Sequence, residues 1–218
     1  MRTQAQQIWD YIAIIKLLDD VNKINYIDGN LKIQKLIFLS ELEGLKTHIA
    51  PMHFKFFRYN LGPYSKELAN SVNFLINQGF ITSTKKITKR GEFLIEYVRD
   101  AINESIIFKK AFEIINETIE KYGRYPGSKL TNMVYDLKVP VYDYGGKVEK
   151  VRNIGTFTDI IVPTQMAELQ DIALFDDILE DIEEELNLSP YSLDPNNPDY
   201  QKTITRALAR VKIALVSA

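Results

Sequence analysis

The 218-residue sequence has no cysteine, two histidines and one tryptophan. Without cysteine there are no disulfides, thiolate metal sites or thiol nucleophiles, and two imidazoles leave little for metal binding or general-base chemistry. His48 and His53 stand five residues apart, not the four that put a zinc pair on one helix face, and no third ligand is evident. No apolar run approaches the ~20 residues that span a bilayer, so no membrane association is expected. The polar, glutamine-rich opening from Met1 to Trp9 is unlike a secretory signal, and a cytoplasmic address follows as the expectation. Phosphate-loop chemistry is missing as well. Val141 stands where the first glycine of Gly-x-x-x-x-Gly-Lys-Ser/Thr would be, Val148 replaces the hydroxyl residue, and Gly145-Gly146-Lys147 reads as a β-turn. No Gly-x-Ser-x-Gly elbow occurs. No catalytic residue, metal ligand or cofactor is assigned, and the chain is read as non-enzymatic.

What the chain does contain is 45% apolar residues, enough for one large core or two small ones, of which two lobes is the favoured reading. The formal charge of −2 conceals an asymmetry. Residues 1–100 carry 14 Lys/Arg against 10 Asp/Glu, residues 101–160 carry 9 against 8, and residues 161–218 carry 4 against 11. A basic face and an acidic tail suit partners of opposite charge, with ordinary solvated surface as the alternative.

Helical spacing of Ile8, Trp9, Tyr11, Ile12, Ile15, Leu18 and Val21 predicts a first helix over about 5–23. After turn chemistry at Ile27-Asp28-Gly29-Asn30, the stripe Ile33, Leu36, Ile37, Leu39, Leu42 and Leu45 predicts a second, ending near Gly44. His53 to Tyr59 reads as an aromatic strand, Leu61 to Tyr64 as a turn, and Ser65 as the cap of a third helix to Gln78. Gly79 ends that helix, and Phe80 to Ile87 forms a short basic hairpin. Thr88 then caps a fourth helix with Phe93, Leu94, Tyr97 and Val98 inside. Further helices are expected at about 104–121, from a Ser128 cap to Leu137, over 164–187 with an acidic stretch at 174–187, and at about 199–216. Residues 139–151 read as a hairpin turning at Gly145-Gly146, with an exposed loop of little structure as the alternative. The class is mainly α (α+β): a winged-helix-like lobe over residues 1–100 and a helical lobe over 101–218.

The third helix has two unlike faces. Leu68, Val72, Leu75 and Ile76 share one, while Lys66, Asn70, Asn73 and Asn77 share the other. Asparagine pairs bidentately with adenine in a major groove, and Lys85, Lys86, Lys89 and Arg90 of the basic segment suit phosphates. Against DNA binding stand Glu67 in the first turn, the lack of arginine on that helix, and the modest +4 of the first hundred residues. A palindromic site would also require a homodimer through the C-terminal helices. In the turn, Gly62 permits the bend, Pro63 fixes its own φ and Ser65 caps, whereas Tyr64 either packs on the second helix or meets a partner. Gln34 and Lys35 lie on the polar side of the second helix, solvated or forming a recognition patch with Arg58 and Tyr64. The acidic stretch is either a solvated face or a docking site for a basic partner.

Lys32-Ile33-Gln34-Lys35-Leu36-Ile37-Phe38-Leu39, then Phe54, Phe56 and Arg58 through Ser65, with Leu68, Leu75 and Gly79-Phe80-Ile81, resembles the Panacea (SocA-like antitoxin) and YwgA-like families over roughly residues 10–98. The Gly62-Pro63-Tyr64-Ser65 turn, about 30 residues beyond Gln34-Lys35-Leu36, is the most specific element. The resemblance implies an antitoxin or adaptor in a toxin-antitoxin or defence context. Its partner would be a protein, a toxin or a protease substrate, and a DNA-binding regulator is the alternative.

Overall fold

The computed structural model describes Arg2 and residues 4–162. The helices expected over 164–187 and 199–216, the acidic stretch at 174–187 among them, lie outside the described residues. Helix α1 (Gln4–Ile24) was read with one apolar stripe, but Ala13, Ile14 and Leu17 are buried too. It is a central helix, in contact with α3 (Lys66–Asn77), α4 (Lys89–Glu104) and α5 (Ile106–Tyr122). Helix α2 (Asn30–Thr47) starts beyond Gly29, at φ +129°, and ends on His48 in the left-handed region, whose N–H reaches the Gly44 carbonyl. Gly44 therefore does not end the helix as expected. A Cβ there would lie 2.3 Å from the Ile49 oxygen and 2.5 Å from Pro51 Cδ, so glycine lets the returning chain lie against the helix.

That returning chain enters β1 (Phe56–Tyr59), which pairs antiparallel with β2 (Gly62–Tyr64) on one side and β5 (Asp159–Ile161) on the other. The expected turn at Leu61 to Tyr64 is thus shorter. Asn60 and Leu61 make the bend, and the next three residues are strand. Ser65 caps α3 as its hydroxyl accepts the Leu68 N–H at 3.2 Å, and Gly79 leaves it at φ +74°. The basic hairpin is reduced to a single bridge, Ile81 with Ile87. Helix α5 is capped by Ser105. Helix α6 (Gly127–Asp136) begins at Pro126, not Ser128, and is fastened by the Gly127 N–H donating to Asp28 at 2.8 Å. Strands β3 (Lys138–Val141) and β4 (Lys147–Lys150) form the expected hairpin, with Gly145 and Gly146 at φ +63° and +81°.

The architecture is mainly α with a small β component, as expected. One apolar core collects residues from Ile8 to Ile161, α5 and α6 both pack on α2, and position 100 falls inside α4. Helix α2 is in contact with α3, α5, α6 and β2, and its Lys32, Gln34, Lys35, Ser40 and Glu41 are buried. That burial shapes the site.

Candidate interaction face and the staples beneath it

Lys32, Gln34 and Lys35 are buried, although helical spacing puts them opposite the apolar stripe. Each holds a connector. Lys32 Nζ donates to the Tyr26 carbonyl at 2.8 Å. Gln34 grips Ser65 twice, Nε2 donating to the Ser65 carbonyl and Oε1 accepting the Ser65 N–H, both at 2.8 Å. Lys35 Nζ donates to the Pro63 carbonyl at 2.8 Å. Pro63 has no N–H to offer, so the groups that β2 and Ser65 direct away from β1 are all occupied. The edge of the sheet is closed from inside. Burial and the nearby Arg58 charge push the Lys35 ammonium down to about 7.

Arg58 lies on the inner face of the hairpin. Its Nε donates to the Val151 carbonyl at 3.2 Å, and its guanidinium sits 4.9 Å from the Tyr135 ring centre. Of the four residues grouped as a partner patch, Gln34 and Lys35 are thus internal fastenings and Arg58 is half-buried beside them. The sequence reading erred on their exposure because α2 is covered on sides that periodicity alone leaves open. Tyr64, read as packing on the second helix or meeting a partner, turns its ring to the outer side of the hairpin. Its ring stands 5.8 Å from Phe57 and 5.6 Å from Tyr59.

Those rings belong to a face that no motif announced. In β1, Phe56 points inward and is fully buried, while Phe57 and Tyr59 share the outer side by the period of two. Tyr64 joins them because it pairs opposite Phe57. Phe157 arrives from the segment before β5, 6.2 Å from Phe57 and 5.7 Å from Tyr59. Phe157 is 70% exposed, Leu61 57% and Tyr59 38%. The backbone at Phe157 has φ +66°, a left-handed conformation that is an outlier for a bulky residue and marks stored strain. Two hydrogen bonds hold it there, the Phe157 N–H to the Arg58 carbonyl at 2.7 Å and the Arg58 N–H to the Thr158 carbonyl at 2.8 Å. The alternation of Phe57 and Tyr59 was a readable signal for half of this face. Phe157 was not readable, because its position depends on a strand pairing about a hundred residues away along the chain.

On the neighbouring helix, Lys66, Asn70, Asn73 and Asn77 are all exposed, the stripe that the spacing foresaw. Lys86 and Lys89 are exposed too, but Lys85 and Arg90 are half-buried. Lys85 adopts φ +65°, its carbonyl accepts Asn22 Nδ2 at 2.9 Å, and burial lowers its pKa. Arg90 donates to the Gln78 carbonyl at 2.6 Å and lies 4.4 Å over the Phe80 ring centre. The eight residues considered for DNA therefore do not form one cationic surface.

A third cluster is wholly internal. Asp10 Oδ1 accepts the His53 backbone N–H at 2.9 Å and lies 3.0 Å from His53 Nδ1, while Oδ2 accepts from Arg2 at 2.7 Å. Glu41 accepts the Phe54 N–H at 3.0 Å, and burial drives its carboxyl well above the usual range, with the Asp10 charge adding to the effect. These groups tie the entry of β1 to α1 and α2. Among the described residues no group of three or more His, Asp or Glu is placed to hold a metal ion, and no helix is long and apolar enough to cross a membrane.

Residues 33–140 match the family model described as antitoxin SocA-like, Panacea domain. The resemblance read over residues 10–98 is therefore to this family, with a match that begins within α2 and reaches β3. It contains Phe57, Tyr59, Leu61 and Tyr64 together with the Gln34 and Lys35 staples, whereas Phe157 comes from beyond it. No curated protein and no solved structure matches the chain.

Proposed function

We propose that this Panacea-domain chain is a non-catalytic, antitoxin-like or adaptor-like component that docks a polypeptide partner on the face of Phe57, Tyr59, Leu61, Tyr64 and Phe157. The observation that carries the reading is Phe157, an apolar ring held 70% exposed by a strained backbone. A chain without a use for that ring would relax the strain or bury the ring. Contiguous exposed apolar surface marks interaction sites, and aromatic side chains supply most anchoring residues at protein interfaces. Beside the face, Lys55 is paired with Asp159 at 2.5 Å, so this cation is already neutralised. The amide stripe of α3 continues from Tyr64 through Lys66 and extends the surface with groups that accept and donate hydrogen bonds. A toxin is the partner class that the family description suggests, and the chain is taken to act in the cytoplasm.

DNA binding is the second reading, and the exposed Lys66, Asn70, Asn73 and Asn77 stripe favours it. It is weaker because Lys85 and Arg90 turn inward, leaving Lys66, Lys86 and Lys89 as the cations of that side, and because a homodimer would have to be supplied. The two readings differ in salt response. A complex isolated from producing cells is expected to survive nuclease and about 0.5 M salt, since apolar contact is not screened while phosphate contact is lost steeply. Dissociation under either treatment, with nucleic acid released, would favour the second reading.

A further inference from the structure

We infer that the inner side of the β1–β2 hairpin is a site for one small oxyanion, a carboxylate or a phosphate, held between the Lys35 ammonium and the Arg58 guanidinium. The two cations are brought together by the fold. Arg58 and Pro63 are paired across the hairpin, and Lys35 Nζ is hydrogen-bonded to that same Pro63. A Cβ at Gly62 would lie 3.5 Å from Lys35 Nζ, so glycine keeps this flank of the ammonium free of a side chain.

Neither charge is paired with a carboxylate among the described residues. Lys35 is 2% exposed, and among the described residues its ammonium has one hydrogen-bond acceptor, a carbonyl, and no carboxylate within ion-pair distance. Arg58 spends Nε on the Val151 carbonyl, while NH1 is buried with no hydrogen-bond partner among the described residues. Buried polar atoms are nearly always satisfied, and an uncompensated buried charge is far more costly than a paired one. Two cations gathered at Pro63, one by strand pairing and one by a hydrogen bond, with an orphaned donor on the first, suit an oxyanion. The depressed Lys35 titration has the same origin, burial first and the Arg58 charge second. A guanidinium presents its N–H groups in a planar fork that suits carboxylate and phosphate oxygens, and the ammonium adds a second charge without a fixed direction. Tyr135 lies half-buried beside the guanidinium, and its hydroxyl donates to the Asn60 carbonyl at 2.6 Å.

This site is independent of the aromatic face, which lies on the other side of the hairpin. The test is a titration of the full chain with sodium acetate and, separately, with inorganic phosphate, against sodium chloride at equal ionic strength. The Arg58 Nε–H resonance and the Gly62 amide report binding. Saturable shifts with either oxyanion, weakened about tenfold or more in Arg58→Lys, which keeps the charge and loses the fork, are the expected result. Tighter binding of phosphate than of acetate would identify a phosphoryl source. Equal or tighter binding of acetate would identify a carboxylate, as a polypeptide supplies. No saturable shift up to about 50 mM of either ion, far above the salt needed to reveal a paired charge-assisted site, would overturn the inference. So would undiminished binding in Arg58→Lys and Lys35→Met. If Lys35→Met fails to fold, the native chain and Arg58→Lys still decide the matter.

Discussion

Phe157→Gly is expected to weaken partner binding by about 30-fold or more, the scale of a hot-spot aromatic worth ~2 kcal/mol, while leaving stability within about 1 kcal/mol. The two halves of this expectation come from the same φ of +66°. Glycine adopts that conformation freely, so the substitution relieves strain worth ~1–3 kcal/mol. It also loses the ring contacts with Phe57 and Tyr59 and some unfolded-state restriction, which offset the gain. Because the ring is mostly in water in the free chain, little folding energy depends on it. Binding differs, since burying the ring against a partner is where its apolar surface contributes. Tyr59→Ser, on the same face but with ordinary strand backbone, is expected to weaken binding without the compensating relief. Titration calorimetry for affinity and denaturant unfolding for stability separate the two quantities. A Phe157→Gly chain that binds normally would remove the main support for the aromatic face.

Gln34→Leu is expected to destabilise the fold by ~2–6 kcal/mol. Leucine is similar in size and apolar, so packing volume is nearly kept. What is lost is the pair of 2.8 Å hydrogen bonds to Ser65, leaving a buried N–H and a buried carbonyl without partners at ~1–3 kcal/mol each. Ser65 is also the cap of α3 and follows Tyr64, so loosening it frays the start of that helix and shifts one ring of the face. Urea unfolding measures the first effect. Gln34→Glu, which retains the acceptor for the Ser65 N–H but opposes the Ser65 carbonyl, is expected to be no better than Leu, because it adds a buried charge. Native stability in both variants would contradict the stapling role.

The helices were legible because their apolar residues recur at helical spacing and their ends carry Ser65 and Gly79, and the β3–β4 hairpin because it turns at Gly145-Gly146, whose local chemistry needs no distant partner. The amide stripe on α3 was legible for the same reason. Gln34 and Lys35 were misread because periodicity tells which side of a helix is apolar, not how many neighbours enclose it. On α2, Lys32, Gln34, Lys35 and Glu41 meet backbone carbonyls and amides of other segments, and burial with such hydrogen bonds looks like surface in the sequence. Gly44 was read as a stop signal when its small size serves a close approach by Pro51. Strand β5 and the left-handed Phe157 before it were invisible because three strand residues carry almost no pattern, and their partner β1 is remote in the chain. Of the candidate face, Tyr64 alone was named from the sequence; Phe57 and Tyr59, although they alternate in one strand, and Phe157, placed by long-range pairing, were not.

Amide hydrogen exchange of the chain alone and in its purified complex tests the central claim most directly. Contact through the aromatic rings should slow exchange in residues 56–64 and 155–161, with a lesser effect along 66–77. Slowing confined to 66–77 and 82–90, with the hairpin and the Phe157 segment unchanged, would place the partner on the amide and lysine side and contradict the account.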